Sequence, residues 1–142
     1  YMEFKGSYRD YVEDYWYDGY QGTVAWHHAD DEWDWKAHAS SDQTVGQIFT
    51  MTLIAEYIDD EEWKERAITI LDDLMTYIVN NDMCLIDTNG KPTLWGRWNP
   101  QYVNRFPEMV GDRKICSSNI IAFLQTAYKF KGKEIFKEKA FE

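Results

Sequence analysis

Only two cysteines and three prolines occur in this chain of 142 residues. Two thiols exclude a disulfide-stapled scaffold. Cys84 and Cys116 stand on either side of an aromatic stretch, where they either meet or are buried separately as small apolar thiols. No apolar run approaches the roughly 18 residues of a membrane-spanning helix, so no membrane partner is expected. Basic residues are outnumbered, 15 against 25 acidic, and nowhere form a dense stripe; nucleic acid is therefore not an expected partner. There is no Gly-rich phosphate loop, no nucleophile elbow and no Cys/His arrangement, and no cofactor is expected. The chain opens without the basic and apolar regions of a signal peptide, which leaves its compartment open, since such a segment can be removed.

Aromatic residues, by contrast, make up 17% of the chain, with 10 Tyr and 7 Trp. Rings with a polar handle suit wet surfaces as well as cores. Charge is divided unevenly: residues 1–82 hold 19 acids and 5 bases, residues 83–142 hold 6 acids and 10 bases. Such a division predicts complementary faces, within the molecule or toward a neighbour.

The stretch Leu94-Trp95-Gly96-Arg97-Trp98-Asn99-Pro100 concentrates the aromatic signal. Gly and Pro oppose regular structure there, and two flat apolar faces flank a planar cation. That combination suits the C–H face of a sugar ring and its hydroxyl or carboxylate groups. The competing reading buries both tryptophans as staples between the loop and helices beneath.

Tyr8, Tyr11, Val12, Tyr15 and Trp16 have the spacing of a short helix ending near Gly19, although the aromatic content leaves a strand over 7–20 open. Residues 20–42 read as a long loop with Trp26, His27, His28, Trp33, Trp35 and His38, its 30–34 acidic run turning between two short strands. A helix is predicted over 44–58, capped by Ser41 or Asp42 and apolar almost all round, hence buried on most faces. An amphipathic helix over about 60–80 follows, with Asp59 and Glu62 at capping-box spacing. Met83–Ile86 and Thr93–Trp95 are predicted to pair across a type I′ turn at Asn89-Gly90. A third helix, capped by Ser117, Ser118 or Asn119, runs to Phe130 and stops at Lys131-Gly132. A fourth starts at Lys133 and is still running at Glu142, leaving Phe136 and Phe141 short of partners. Self-association through residues 133–142, or packing against further repeats of the same protein, is the expected consequence.

A repeat supports that expectation. Trp63-Lys64-Glu65-Arg66-Ala67 recurs as Phe136-Lys137-Glu138-Lys139-Ala140, and Ser40-Ser41-Asp42 matches Ser117-Ser118-Asn119. Each unit, 20–82 and 83–142, reads as a long aromatic loop, a buried helix, a tight turn and an amphipathic helix. The predicted fold class is all-α: helical hairpins with long aromatic loops at one end and one short β-hairpin, forming a single partial domain.

On Ser40–Gln47, Trp95–Pro100 and the Ser117–Gly132 helix, the chain resembles the (α/α) toroid domains of the six-hairpin glycosidase type. It is most similar to sugar-associated bacterial members, which implies a periplasmic or secreted protein. The resemblance implies inner helices forming a barrel and a sugar funnel at the loop end, faced by Trp95, Arg97, Trp98 and Asp42. Trp26 and His28, in the matching loop, are candidates for the same surface. A full toroid has about six helix pairs against about two here, so the chain reads as a fragment.

Glycoside hydrolysis needs two carboxylates across the scissile bond. Asp42 is the first candidate, or simply a helix cap, with Glu108, Asp112 or Asp34 as its partner. His27-His28-Ala29-Asp30-Asp31 contains metal-ligand types without the spacing of a closed site, and no metal is assigned. Three functions follow: a carbohydrate-active toroid, a non-catalytic module binding an oligosaccharide or glycan, or a helical scaffold for protein partners.

Overall fold

The computed structural model describes residues 2–4, 27–35, 39–104 and 110–142. In chain order the elements are β1 (Met2–Phe4), β2 (His27–His28), β3 (Trp33–Trp35), α1 (Ser41–Tyr57), α2 (Glu61–Asn80), β4 (Cys84–Ile86), β5 (Pro92–Arg97), α3 (Pro100–Val103), α4 (Val110–Lys131) and α5 (Glu134–Lys139). The protein is mostly helical, but the all-α expectation needs correction: two small antiparallel sheets accompany the helices, one of order β1-β3-β2 and one of β4-β5. Residues 7–20, with their helix-or-strand reading, lie outside the described residues. Among the described residues, no helix is long and apolar enough to cross a membrane.

The acidic turn between β2 and β3 forms as its residue types predict. Asp30 Oδ1 accepts hydrogen bonds from the backbone N–H groups of Glu32 and Trp33, each at 2.8 Å. An Asx side chain thereby supplies acceptors that a tight reversal would otherwise lack. The third strand, β1, pairs with β3 from Met2 opposite Trp35 to Phe4 opposite Trp33; the period-2 signal of three residues is too short to mark it.

α1 begins three residues before the predicted start. Its N-cap is Ser40, not Ser41 or Asp42, and Gln43 Oε1 accepts from the Ser40 backbone N–H at 2.9 Å as in a capping box. Asp60, one residue after the predicted Asp59, caps α2 by accepting from Glu62 N at 3.0 Å and Trp63 N at 3.3 Å. Residues 58–60 make the tight turn between them.

The core forms where α2 meets α4. Leu71, Met75 and Ile78 of α2 join Cys116, Ile120, Phe123, Leu124 and Ala127 of α4, with Met83, Leu85 and Trp98 closing one end. Phe136 enters the same cluster fully buried, so the expectation that it lacks a partner is wrong; Phe141 is exposed. α5 also ends at Lys139 with Ala140 as its C-cap rather than running to Glu142. The main correction concerns α1. It buries Ile48 and Ala55 but leaves Phe49 at 62% and Tyr57 at 74% exposure, with Leu53 also open. The supposedly inner helix is therefore open along one face, and α2 is at least as well seated in the core.

The apparent repeat loses its second cap as well. Ser117-Ser118-Asn119 lies inside α4, where Ser118 Oγ donates to the Lys114 carbonyl at 3.3 Å. Bonding to the preceding turn lets serine sit in a helix interior, overriding its cap preference. Gly132 does stop α4: its φ of 66° is left-handed, and its N–H donates to Tyr128 O at 2.8 Å.

Part of the charge division is matched within the molecule. Glu56 of α1 pairs with Lys129 of α4 at 2.5 Å, and Asp72 of α2 pairs with Lys133 at 2.6 Å and Lys131 at 3.7 Å. These pairs are partly solvated, each worth about 0–1 kcal/mol, and they fix which helix faces meet more than they hold the fold.

Candidate functional site

The β4-β5 hairpin organises the candidate site. Asp87 N–H donates to Lys91 O at 2.8 Å and Gly90 N–H to Asp87 O at 2.9 Å. Only Gly90 takes a positive φ, 76°, while Asn89 does not. The connection is therefore a three-residue loop, a type I turn followed by a left-handed glycine, rather than the two-residue type I′ turn expected from Asn-Gly. The hairpin itself forms, its first strand one residue shorter and its second three residues longer than predicted, with Cys84 opposite Arg97 and Ile86 opposite Pro92 around an irregularity.

Thr93, fully buried, ties this hairpin to the helices. Its Oγ1 donates to Ala39 O at 3.0 Å and accepts from Gly96 N–H at 3.0 Å. The hairpin thus sits beside the segment leading into α1, so the Trp95 strand and the first turn of α1 share one end of the molecule.

The three residues expected to face a sugar separate into different environments. Trp98 is 1% exposed, its ring packed edge-on against Phe123 with centroids 6.0 Å apart. It is a core residue and offers no open stacking face, so the competing reading is correct for Trp98. Arg97 turns back on its own strand: Nε donates to Thr93 O at 2.6 Å and Nη2 to Pro92 O at 3.3 Å, with the guanidinium 5.9 Å from the centre of the Tyr102 ring. Trp95 is half-buried. Asp42 is exposed in the first turn of α1, where it accepts the Ser40 hydroxyl proton in a hydrogen bond. Trp26 and Glu108 lie outside the described residues, as does the side chain of Asp112; of the candidate partners for Asp42 only Asp34 is described, and its carboxylate is buried against His28.

The structure joins two other candidates. His28 Nδ1 is 2.7 Å from Asp34 Oδ1, the imidazole 76% exposed and the carboxylate 1% exposed. A buried carboxylate at that distance orients the ring and favours a proton on Nδ1. Neighbouring His27 stacks on Trp35 at 4.9 Å. Cross-strand pairing, with His27 opposite Trp35 and His28 opposite Asp34, makes both contacts. Among the described residues, no group of three or more His, Cys, Asp or Glu side chains is placed to hold a metal.

Cys84 and Cys116 are both free and buried. Burial first, and then the Asp82 carboxylate, push the Cys84 thiol up to about 11, with Arg97 and the Trp98 backbone N–H pulling the other way. The unfolded thiol ionises from 9.0. Between these values the unfolded chain has released a proton that the native chain keeps. This contribution to stability is therefore intact below pH 9 and is lost as pH rises toward 11. Denaturation midpoints of wild type and Cys84→Ala should converge over that interval, and parallel curves would contradict it.

Sequence reasoning missed a cavity of about 370 Å³ at the other side of Trp98, between the start of β4, α3, α4 and the end of α5. Its walls come from segments far apart in the chain, and no local spacing could have announced it. No family model, curated protein or solved structure matches this chain.

Proposed function

We propose that this chain is a helical-hairpin unit that works by packing laterally against further hairpins of its own kind, with the open face of α1 as the joint. The observation carrying this reading is the stripe Phe49, Leu53 and Tyr57, spaced one turn apart and therefore on a single face, all exposed. Gly46 continues the stripe with nothing within 4 Å of where a Cβ would lie, leaving room for a close helix. Within α1 the only charges are Asp42 and Glu56, and Glu56 is held by Lys129. An uncharged stripe three turns long belongs to an interface rather than a solvated surface. It is also the face that a toroid, the fold this chain resembles, closes with its next hairpin.

Sedimentation equilibrium tests the joint, a second copy standing in for the next hairpin. Wild type should self-associate reversibly, and Phe49→Glu combined with Leu53→Lys should shift it to monomer with unchanged helical circular dichroism. A wild type that stays monomeric, or a double variant that associates equally, overturns the reading.

The glycan-binding reading stands second, favoured by the Thr93–Ala39 hydrogen bond that gathers Trp95 and Asp42 at one end. It no longer draws on Trp98 or on a free Arg97. Stacking of a sugar on Trp95 predicts that Trp95→Ala weakens oligosaccharide binding about fivefold or more, from a ring contact of roughly 1 kcal/mol. Equal binding on a glycan array by the variant removes this reading.

A further inference from the structure

The stripe on α1 needs a surface to meet, and α2 carries one of a different make. Trp63, Ile70 and Tyr77 follow one another at intervals of seven residues, two turns each, and so stand on one face of α2. All three are exposed. Ile70 precedes Leu71 by one residue, which sets this face about 100° around the helix from the buried row of Ala67, Leu71, Met75 and Ile78. The exposed Glu62, Arg66 and Asp73 border it on the outer side, giving an apolar strip with a polar rim, as at contacts between proteins.

Its two aromatic ends are held before anything docks. The Arg66 guanidinium lies 4.8 Å from the centre of the Trp63 ring, and the Tyr77 hydroxyl accepts the Ile86 backbone N–H at 3.2 Å. Side chains fixed in advance lose less freedom on association.

The strip on α2 and the stripe on α1 match in length and in the order of their features. Gly46 and Glu56 are ten residues apart on α1, and Arg66 and Tyr77 eleven apart on α2, spans of about 15 Å and about 17 Å at the helical rise. An antiparallel approach therefore sets Tyr77 over Gly46, where nothing lies within 4 Å of a Cβ position, and Arg66 beside Glu56. Leu53 then comes opposite Ile70, and Tyr57 reaches the Trp63 end. A carboxylate accepts more than one donor, so Glu56 keeps Lys129 while it meets Arg66. Pairing α1 with α1 instead gives Arg66 no partner and leaves the α2 strip in water.

We infer that the α1 stripe of one copy docks on the Trp63–Ile70–Tyr77 strip of the next, a head-to-tail contact between unlike faces. The inference rests on the reading of α1 as a joint and names the surface to which it joins. Each copy offers one face of each kind, so association runs past the dimer, to a ring or an open chain according to the angle at the contact.

Sedimentation velocity on the full chain tests this with two blocked variants. Wild type should grow beyond the dimer as its concentration rises. Trp63→Glu with Ile70→Lys blocks the α2 strip, and Phe49→Glu with Leu53→Lys blocks the α1 stripe. Each double variant alone should be monomeric, with unchanged helical circular dichroism. Mixed in equal amounts they should form a 1:1 dimer and nothing larger, because each keeps the face that the other lacks. Ile70→Glu alone, at an exposed position, takes the place of the α2 double variant if that one does not fold. A wild type that stops at the dimer, or an α2 variant that associates as wild type does, overturns the head-to-tail contact and leaves α1 joined to α1. A mixture that stays monomeric while wild type associates also overturns it. A wild type that is monomeric at every concentration overturns the joint itself.

Discussion

Trp98→Ala should cost about 3–5 kcal/mol, the range for deleting a large aromatic side chain from a core. A domain of this size is stable by only about 5–15 kcal/mol in total. Much of the population of this variant should therefore be unfolded or loosely packed at moderate denaturant. The cause is positional. Trp98 closes one end of the cluster formed by α2 and α4, its ring meets Phe123, and its backbone N–H donates to Met83 O at 2.8 Å. Truncation opens a hole next to an existing cavity, into which neighbours on α4 cannot move without leaving α2. Urea denaturation followed by circular dichroism measures the loss. A midpoint within error of wild type would mean that the indole is not part of the packed interior.

Gly96→Ala should be the most damaging methyl addition among the described glycines. A Cβ there would lie 2.7 Å from Thr93 Oγ1, 2.8 Å from Leu85 Cδ1 and 2.9 Å from Leu85 Cβ. The Cδ1 can swing aside, but the Leu85 Cβ is attached to the opposite strand, so the two strands must separate. The same movement strains the bond from Gly96 N–H to Thr93 Oγ1, and with it the link from Thr93 to Ala39. A loss of about 1–3 kcal/mol is expected, as for other overpacking substitutions. Gly46→Ala provides the internal control. It adds the same methyl in a helix with nothing within 4 Å and should stabilise by about 0.5–1 kcal/mol through helix propensity. Thermal melts of the two variants should move in opposite directions, and a shared direction would show that local crowding is not what distinguishes them.

How much of this was readable in advance varies by residue. Of the predicted α2 stripe, Ala67, Leu71 and Ile78 are buried and Leu74 partly so, while Trp63 and Ile70 stay exposed: a one-sided periodicity does not state how wide the covered face is, only which face goes inward. The all-round apolar pattern of α1 states no such thing. It fits a helix buried on every side and equally one that keeps Phe49, Leu53 and Tyr57 for something outside the chain. Asn89-Gly90 announced the hairpin, and the left-handed glycine is where it should be. The turn type depended on where strand pairing closed, at Asp87 and Lys91, which is a tertiary outcome. Ser117-Ser118-Asn119 misled because cap preference is weak against a helix that can bond serine hydroxyls to the preceding turn. Trp98 was undecidable, since flanking Gly and Pro show that a tryptophan leaves regular structure without showing which way its ring goes. The His28–Asp34 pair needed the register of two short strands, and the cavity needed four elements at once.

The seating of α2 against α4 has a consequence for the order in which the chain can acquire its structure. Leu71, Met75 and Ile78 are completed by Phe123, Leu124 and Ala127, which a ribosome adds about fifty residues later. Until those arrive, α1 and α2 form a nascent pair with apolar surface on both sides, the α1 stripe and the unfilled α2 groove, and with an excess of negative charge. Hydrophobic exposure of this kind invites premature association, while like charge opposes it. The acids crowded into the first 82 residues act as a temporary solubiliser, and the lysines of the last turn of α4 discharge part of it when the late helix docks. Chains stalled or truncated before residue 123 should therefore persist as acidic, chaperone-dependent species rather than as smaller folded domains.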